Sequence, residues 1–347
     1  MLACAWHRVR DVTLGDPSRV DDAADETALW RNGVHLCDTR IWCDALRARD
    51  ICFLSRADAV GRVRHGQIIA TGETLLTIDD GGRGPDSVLS SPYGRPFTLG
   101  TRRLELVRSG HSLGAAGLAV DVDGQRVLYA GAVNPRGGGL GGVADVRPCD
   151  TLIVAAAYDT PSFPSTDDAA ATLLDRLADR PADRATVLLV GSIGRAVDVA
   201  ARLGAAGIAL GAHRSIHVAA HRLRRARQVD LPALRRVGAR DNAAGRVVLW
   251  PLSHRDSARA VAGDGGRVIL VSGRAAEPDA AAAVGADDGI AWSGHAGRDE
   301  LIAYIESSGA RRVYLTHRQA EPLAAALHRR GRIVHPLGPP VQMTLFG

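Results

Sequence analysis

A chain of 347 residues, 46% hydrophobic and 23% charged, has the balance of a soluble globular protein with material for one large domain or two ordinary ones. No apolar run reaches membrane-spanning length, and the five scattered cysteines (Cys4, Cys37, Cys43, Cys52, Cys149) form no C-x-x-C pair, which excludes a zinc ribbon and a disulfide framework. The net charge of +5, supplied by arginine without a single lysine, permits contact with nucleic acid and does not require it.

The opening MLACAWHRVRDVTLGDP has no basic leader followed by an apolar stretch, so the expected location is the cytoplasm and no membrane partner is expected. The first half then reads as short strands joined by Gly and Asp turns: VHLCDTRIWCDA, DICFLS, QIIAT, RRLELVRSG, AGLAVDVDGQRVLYAGA and DTLIVAAAY. Alternation in LAVDV and RVLYA around Asp123-Gly124 predicts a hairpin. From about Thr166 the pattern becomes α/β: DDAAATLLDRLAD is helical, ATVLLVGS a buried strand, IGRAVDVAARLGAAG a second helix, and RVVLWPLS and GRVILVSG further strands. The basic cluster HRLRRARQ (221–228) reads as a solvated helix face. SGHAGRDELIAYIESSG predicts a helix capped by Ser293, followed by the strand RRVYLTH and a tail broken by Pro336, Pro339 and Pro340.

GHSLG (110–114) fits the G-x-S-x-G pattern of a serine hydrolase. That chemistry needs a helix after the serine, and the residues after Ser112 alternate at period two instead. Ser112 therefore sits between two strands, and His111 becomes the residue of interest.

A strand, then G-H-x-L-G, then a hairpin ending in Tyr-Ala-Gly-Ala resembles the metallo-β-lactamase fold in its β-CASP nuclease branch. The resemblance runs over nearly the whole chain. RNGVHLCDTRIWCDA is similar to the opening strands, with Asp44 at the first motif; FLSRADAVGRVRHGQIIAT stands where the family has F-V-S-H-A-H-A-D-H; CDTLIVAAAYDTP stands where it has a strand ending in E-S-T-Y or E-S-T-F. SGHAGRDELIAYIESSGARRVYLTH resembles the last two motifs, with His295 and His317 in place. The nearest group is that of bacterial exonucleases encoded beside an ATP-dependent DNA ligase. The resemblance implies an α/β fold, a metallo-β-lactamase αββα sandwich with an inserted β-CASP α/β domain. It implies a core formed by residues 1–160 and 286–335, an insertion over 161–285 and a tail peptide over 336–347.

In this family two zinc ions activate the hydroxide that attacks a phosphodiester. Most of the implied ligands are replaced here. Arg56 and Asp58 take the paired histidine positions, Val60-Gly61 the Asp-His pair, Ala132 the bridging aspartate and Ala155 the acidic residue before the tyrosine. Asp44, His111, His295 and His317 survive. Of these only His111 and His317 are ligands in the family; Asp44 orients a histidine and His295 donates a proton to the leaving group. No bound metal and no cofactor are expected, and the reading is a pseudo-enzyme without catalytic residues. Each survivor also has a structural explanation: His111 bonding to neighbouring backbone, Asp44 stabilising a turn, His317 closing a strand. A cleft that keeps its shape around Arg56 and His111 suggests phosphate binding. The alternative is an active nuclease or phosphodiesterase with one metal on Asp58, His111 and His317.

The last residues, with Gln342, Leu345 and Phe346, fit the Q-x-x-L-F type of peptide that docks on the bacterial sliding clamp, with two apolar side chains as its hot spot. The expected role is an accessory or scaffold protein of DNA repair or replication, partnered by the clamp and by a nuclease, ligase or polymerase.

Overall fold

The computed structural model describes residues 26–58, 63–78 and 85–339. Val60 and Gly61, and the tail residues Gln342, Leu345 and Phe346, lie outside the described residues. The described residues form an α/β fold with three sheets.

The first sheet takes six short strands in chain order: β1 (Ala28–Trp30), β2 (Val34–Leu36), β3 (Ile41–Cys43), β4 (Ile51–Phe53), β5 (Gln67–Ala70) and β6 (Ser87–Ser90). The first three are antiparallel and β3 to β6 are parallel. The second sheet contains β7 (Phe97–Leu99), β8 (Arg102–Arg108), β9 (Ala116–Val122), β10 (Gln125–Gly131) and β11 (Thr151–Ala155). Two late strands, β18 (Arg312–Thr316) and β19 (Ile333–Pro336), complete it in the order β19-β18-β11-β10-β9-β8-β7. The hairpin between β9 and β10 turns at Asp123 and Gly124, both at positive φ (49° and 82°), as a tight two-residue connection requires.

Alternation places side chains on the two faces of this second sheet. Leu118, Val120, Ile153 and Tyr314 pack against Val34, Ile41, Phe53 and Ile69 of the first sheet. Ala119, Leu152, Val154 and Val313 point the other way, into a core shared with helices α6 (Arg298–Ser307) and α7 (Ala320–His328). On the outer side of the first sheet, Cys52, Leu54 and Ile68 meet Leu75 of α1 (Gly72–Thr77). Two sheets thus lie face to face between helical layers, because strands buried on both faces need cover on both.

The third sheet is wholly parallel. It comprises β12 (Thr186–Val190), β13 (Leu210–Ala212), β14 (Arg235–Arg236), β15 (Val247–Pro251), β16 (Arg267–Val271) and β17 (Asp288–Ile290), in the order β14-β13-β15-β12-β16-β17. β17, on the far side of residue 285, pairs into this same sheet. Helices α2 (Thr166–Ala178), α3 (Ile193–Ala205) and α4 (Arg214–Arg225) cover one face, and α5 (Ala258–Ala262) the other. Ser165 and Ser192 cap α2 and α3 by accepting from Asp168 N–H and Arg195 N–H. Among the described residues no helix is long and apolar enough to cross a membrane.

Candidate functional site

Parallel strands deliver their carboxyl ends to a common edge, so the residues just after them converge whatever their separation in sequence. Here β3 ends before Asp44, β4 before the run Leu54–Asp58, β11 at Ala155 and β18 before His317. The loop between β8 and β9 adds His111, and the segment after β17 adds Trp292, Ser293, Gly294 and His295.

Asp44 holds the floor together. Its carboxylate accepts from Ser55 N–H at 2.8 Å, Ser55 Oγ at 2.6 Å and Tyr129 OH at 2.8 Å, and its backbone stands at φ 48°. Asp44 therefore ties three strands of two sheets, a wider role than the turn expected for it. Arg56 follows directly; its guanidinium reaches Ser55 Oγ at 3.4 Å and faces the cleft half-buried. Ala132 and Ala155 are buried and offer only methyl groups.

Among the predicted positions the structure brings together Arg56, His111, His295 and His317. The rings of His111 and His295 lie edge to face at 4.8 Å, and those of His295 and His317 at 6.1 Å. The Nδ1–H of His111 donates to the carbonyl of Gly294 at 3.0 Å, a partner 183 residues distant and not the neighbouring backbone anticipated from sequence. That bond fixes the neutral tautomer with Nδ1 protonated. His111 is buried, and burial together with Arg56 and Arg195 holds its pKa well below the usual imidazole range. His295 is displaced the same way by burial, His111 and Arg56. His317 stands more open at the rim, where the protein packed on its inner side and Arg56 push it in the same direction. Its backbone is at φ 74°, the left-handed region that a non-glycine residue occupies only under tertiary constraint.

Ser293 does not cap a helix, contrary to expectation. Its hydroxyl accepts from His295 N–H at 3.0 Å inside the loop, while α6 begins at Gly297, whose N–H donates to Glu300 at 2.7 Å. The glycines between Ser293 and Arg298 let the chain make one more turn before the helix starts. Asp58 lines the same cavity but is engaged elsewhere: its Oδ1 accepts from Ile193 N–H at 2.8 Å, at the amino end of α3. Ser112 is buried between β8 and β9, with its Cβ against α3 at Gly194, and β9 follows as a strand.

Several residues of the cleft were not singled out in the sequence. Arg195, 6% exposed, pairs with the buried Asp198 at 2.9 Å and sits 5.5 Å from the Trp292 ring. Arg136 grips the 293–295 loop through the carbonyls of Ser293 (3.2 Å) and His295 (2.9 Å) and pairs with Glu300. Tyr158 and Arg274 complete a cavity of about 280 Å³. The only sequence signal for Arg195 was its place two residues after the start of a helix that follows a buried strand, which does not reveal the side it faces. Trp292 Nε1 and His295 Nδ1 are buried and reach no protein partner.

The family implies two zinc ions, and the residues present do not fit them. Among the described residues no three His, Cys, Asp or Glu side chains are grouped as a cation requires. Asp58 is engaged at α3, and Arg56 places a permanent positive charge among the surviving imidazoles. What the cleft offers instead is an array of donors, Arg56 and Arg274 among them, suited to an anion.

No protein-family model matches the chain. It is similar to a probable DNA ligase from Opitutus terrae, at 25% identity over 341 residues, covering 90% of this chain and 31% of that protein. The chain thus spans about a third of the length of the curated relative it matches, a distant similarity to a protein of DNA metabolism. Its fold resembles the crystal structure of a protein of unknown function from Enterococcus faecalis V583, with a TM-score of 0.51 at 13% identity, covering 76% of this chain and 74% of that one.

Proposed function

We propose that the chain is a metallo-β-lactamase-fold protein of the β-CASP type whose metal cleft has become an anion-binding pocket, and that it serves DNA metabolism without catalysing hydrolysis. The observation that carries this reading is Arg56: a guanidinium stands among His111, His295 and His317 and adds to the burial that holds all three imidazoles below their usual range, while Ala132 and Ala155 supply no donor atoms. The layered pair of sheets, with residues 161–285 read as an inserted α/β domain, supports the fold assignment. The similarity to a probable DNA ligase supports the DNA connection.

In this reading a phosphate group enters the cavity, accepts from Arg56 and Arg274, and lies beside the neutral rings of His111 and His295. Recruitment to the sliding clamp through Gln342, Leu345 and Phe346 would place the protein beside a nuclease, ligase or polymerase. The test is titration of the full chain with inorganic phosphate and, separately, with zinc, followed by calorimetry and thermal unfolding. Phosphate is expected to bind and raise the unfolding temperature, and Arg56→Ala to abolish both effects. Two tightly held zinc ions, or phosphate binding indifferent to Arg56→Ala, would overturn it. For the tail, removal of Leu345 and Phe346 is expected to abolish capture of the clamp; undiminished capture would refute that part alone.

A further inference from the structure

The segment from His213 to Arg240 contains eight arginines and one acidic residue, Asp230. Eight minus one gives it a net charge of +7, against +5 for the whole chain, so the other residues together carry −2. The basic character of this protein is therefore local.

The structure places part of that charge on one surface. On α4 the residues Ile216, Ala219, Ala220 and Leu223 are buried in the core of the third sheet. Arg214, His217, His221 and Arg225, spaced three and four apart, consequently run along the opposite face. At 1.5 Å per residue this stripe is about 17 Å long. The His217 and His221 rings lie parallel, within 3°, at 6.3 Å. Beside the helix runs β14, an exposed edge strand in which Arg236, in register with Ala212, stands on the α4 side of the sheet, while Arg235, in register with Gly211, stands on the other. Arg236 is close enough to His217 to add to the effects of burial and His221 in lowering its pKa, which joins strand and helix into one patch.

Two ordinary explanations cover part of this. Cations in the last turn of a helix favour its dipole, which suits Arg222, Arg224 and Arg225. Charges on an edge strand prevent pairing with other chains, which suits Arg235 and Arg236. Neither accounts for Arg214, placed at the amino end of α4, where the dipole disfavours a cation. Neither accounts for the want of carboxylate partners. Among the described residues Arg214, Arg224, Arg225, Arg227, Arg235 and Arg236 form no ion pair; exposed arginines elsewhere include paired ones (Arg40, Arg259, Arg298, Arg330) and scattered unpaired ones (Arg47, Arg95, Arg103, Arg311, Arg329), so what marks this segment is that its unpaired arginines are concentrated within it.

We propose that the α4–β14 surface binds the phosphate backbone of nucleic acid, at a site separate from the Arg56 cleft. This goes beyond the role proposed for the cleft and does not depend on the cleft holding an anion. Charge complementarity selects the occupant, since guanidinium groups match phosphate oxygens in pairs and a duplex presents about one negative charge per 1.7 Å of its axis. An anionic membrane fits less well. Membrane-surface helices insert an apolar face, and the apolar face of α4 is already spent on the core; among the described residues the exposed large apolar side chains (Leu46, Val88, Val143, Val146, Ile333) lie elsewhere.

The experiment is fluorescence anisotropy of a short mixed-sequence DNA duplex with the full chain, across about 50 to about 200 mM salt. The parent should bind with steep salt dependence. The triple variant R214Q/R225Q/R236Q should bind more than about tenfold more weakly at the lowest salt, with a log–log slope shallower by about 2.7, or about 0.9 per lost contact. A control of equal charge change at exposed, ion-paired arginines, R40Q/R64Q/R330Q, should stay within about twofold of the parent, the range of a screened surface charge. If the triple variant does not fold, R225Q and R236Q singly should each flatten the slope by about 0.9. No binding by the parent, equal loss in patch and control variants, or binding to phosphatidylserine vesicles but not DNA would each overturn the proposal. Loss of phosphate binding in Arg56→Ala with DNA binding intact would leave this proposal standing, whereas phosphate binding indifferent to Arg56→Ala would strike the cleft reading alone.

Discussion

Acidification from pH 7 to pH 5 should destabilise this protein chiefly through two buried histidines, with the more open His317 acting in the same direction. His111 is buried, donates through Nδ1 to Gly294 and has Arg56 and Arg195 nearby; His295 is held among His111, Arg56 and His317. Both folded-state pKa values are depressed below the unfolded value of about 6.5. The unfolded chain therefore takes up protons that the native state refuses, and stability is full above the unfolded pKa and falls as pH drops below it. At pH 5 a ring that stays neutral is about 1.5 units below its unfolded pKa, which costs about 2 kcal/mol per ring and about 4 kcal/mol for the pair. That is a large part of a typical total stability of about 5 to 15 kcal/mol. Burial raises the pKa of Asp198, which has the opposite sign and acts at the acid end of the same range. The comparison that isolates His111 is thus parent against His111→Gln, by urea unfolding at pH 7, 6 and 5. The variant should lose about 2 kcal/mol of the pH-dependent drop, and Arg56→Met should also shrink it by easing the repulsion. Identical pH dependence in parent and His111→Gln, or imidazole proton signals titrating near the ordinary value, would refute the reasoning.

Asp44→Ala should be among the most destabilising single changes, because it strands the Ser55 N–H, the Ser55 hydroxyl and the Tyr129 hydroxyl, all buried, and leaves alanine at φ 48°. At about 1 to 3 kcal/mol for each of the three stranded groups the loss is about 3 to 9 kcal/mol, read as a lower urea midpoint at unchanged slope; Asp44→Asn, which tolerates the backbone and keeps two acceptor lone pairs, should lose less than half as much. Gly294→Ala should cost about 1 to 3 kcal/mol, since its Cβ would lie 2.3 Å from the His111 carbonyl oxygen and 2.7 Å from Arg195 Nη2. The same variant should bring the His111 signal back toward ordinary titration, and an unshifted signal would show that Gly294 does not fix that ring.

Much of the fold was legible in local pattern. Period-two alternation around Asp123-Gly124 marked the β9–β10 hairpin and with it removed the hydrolase reading of Ser112, because the type of element that succeeds a residue is set by its neighbours in the chain. The helices α2, α3 and α6 likewise announced themselves by spacing and, for α2 and α3, by a serine in front. Ser293 misled because a serine before a helix looks the same whether the helix starts next or one glycine turn later. Composition alone locates the excess charge between His213 and Arg240, since net charge is a sum over residues.

The cleft was decided elsewhere. His111 meets Gly294, Asp58 meets the start of α3, and Arg195 comes to lie by Trp292 only because strands remote in sequence end at one edge of the packed sheets. Which charges face each other there, and so which imidazoles stay neutral, depends on distances and on exclusion of water. Those are properties of the assembled layers and are not written in any single stretch of the chain.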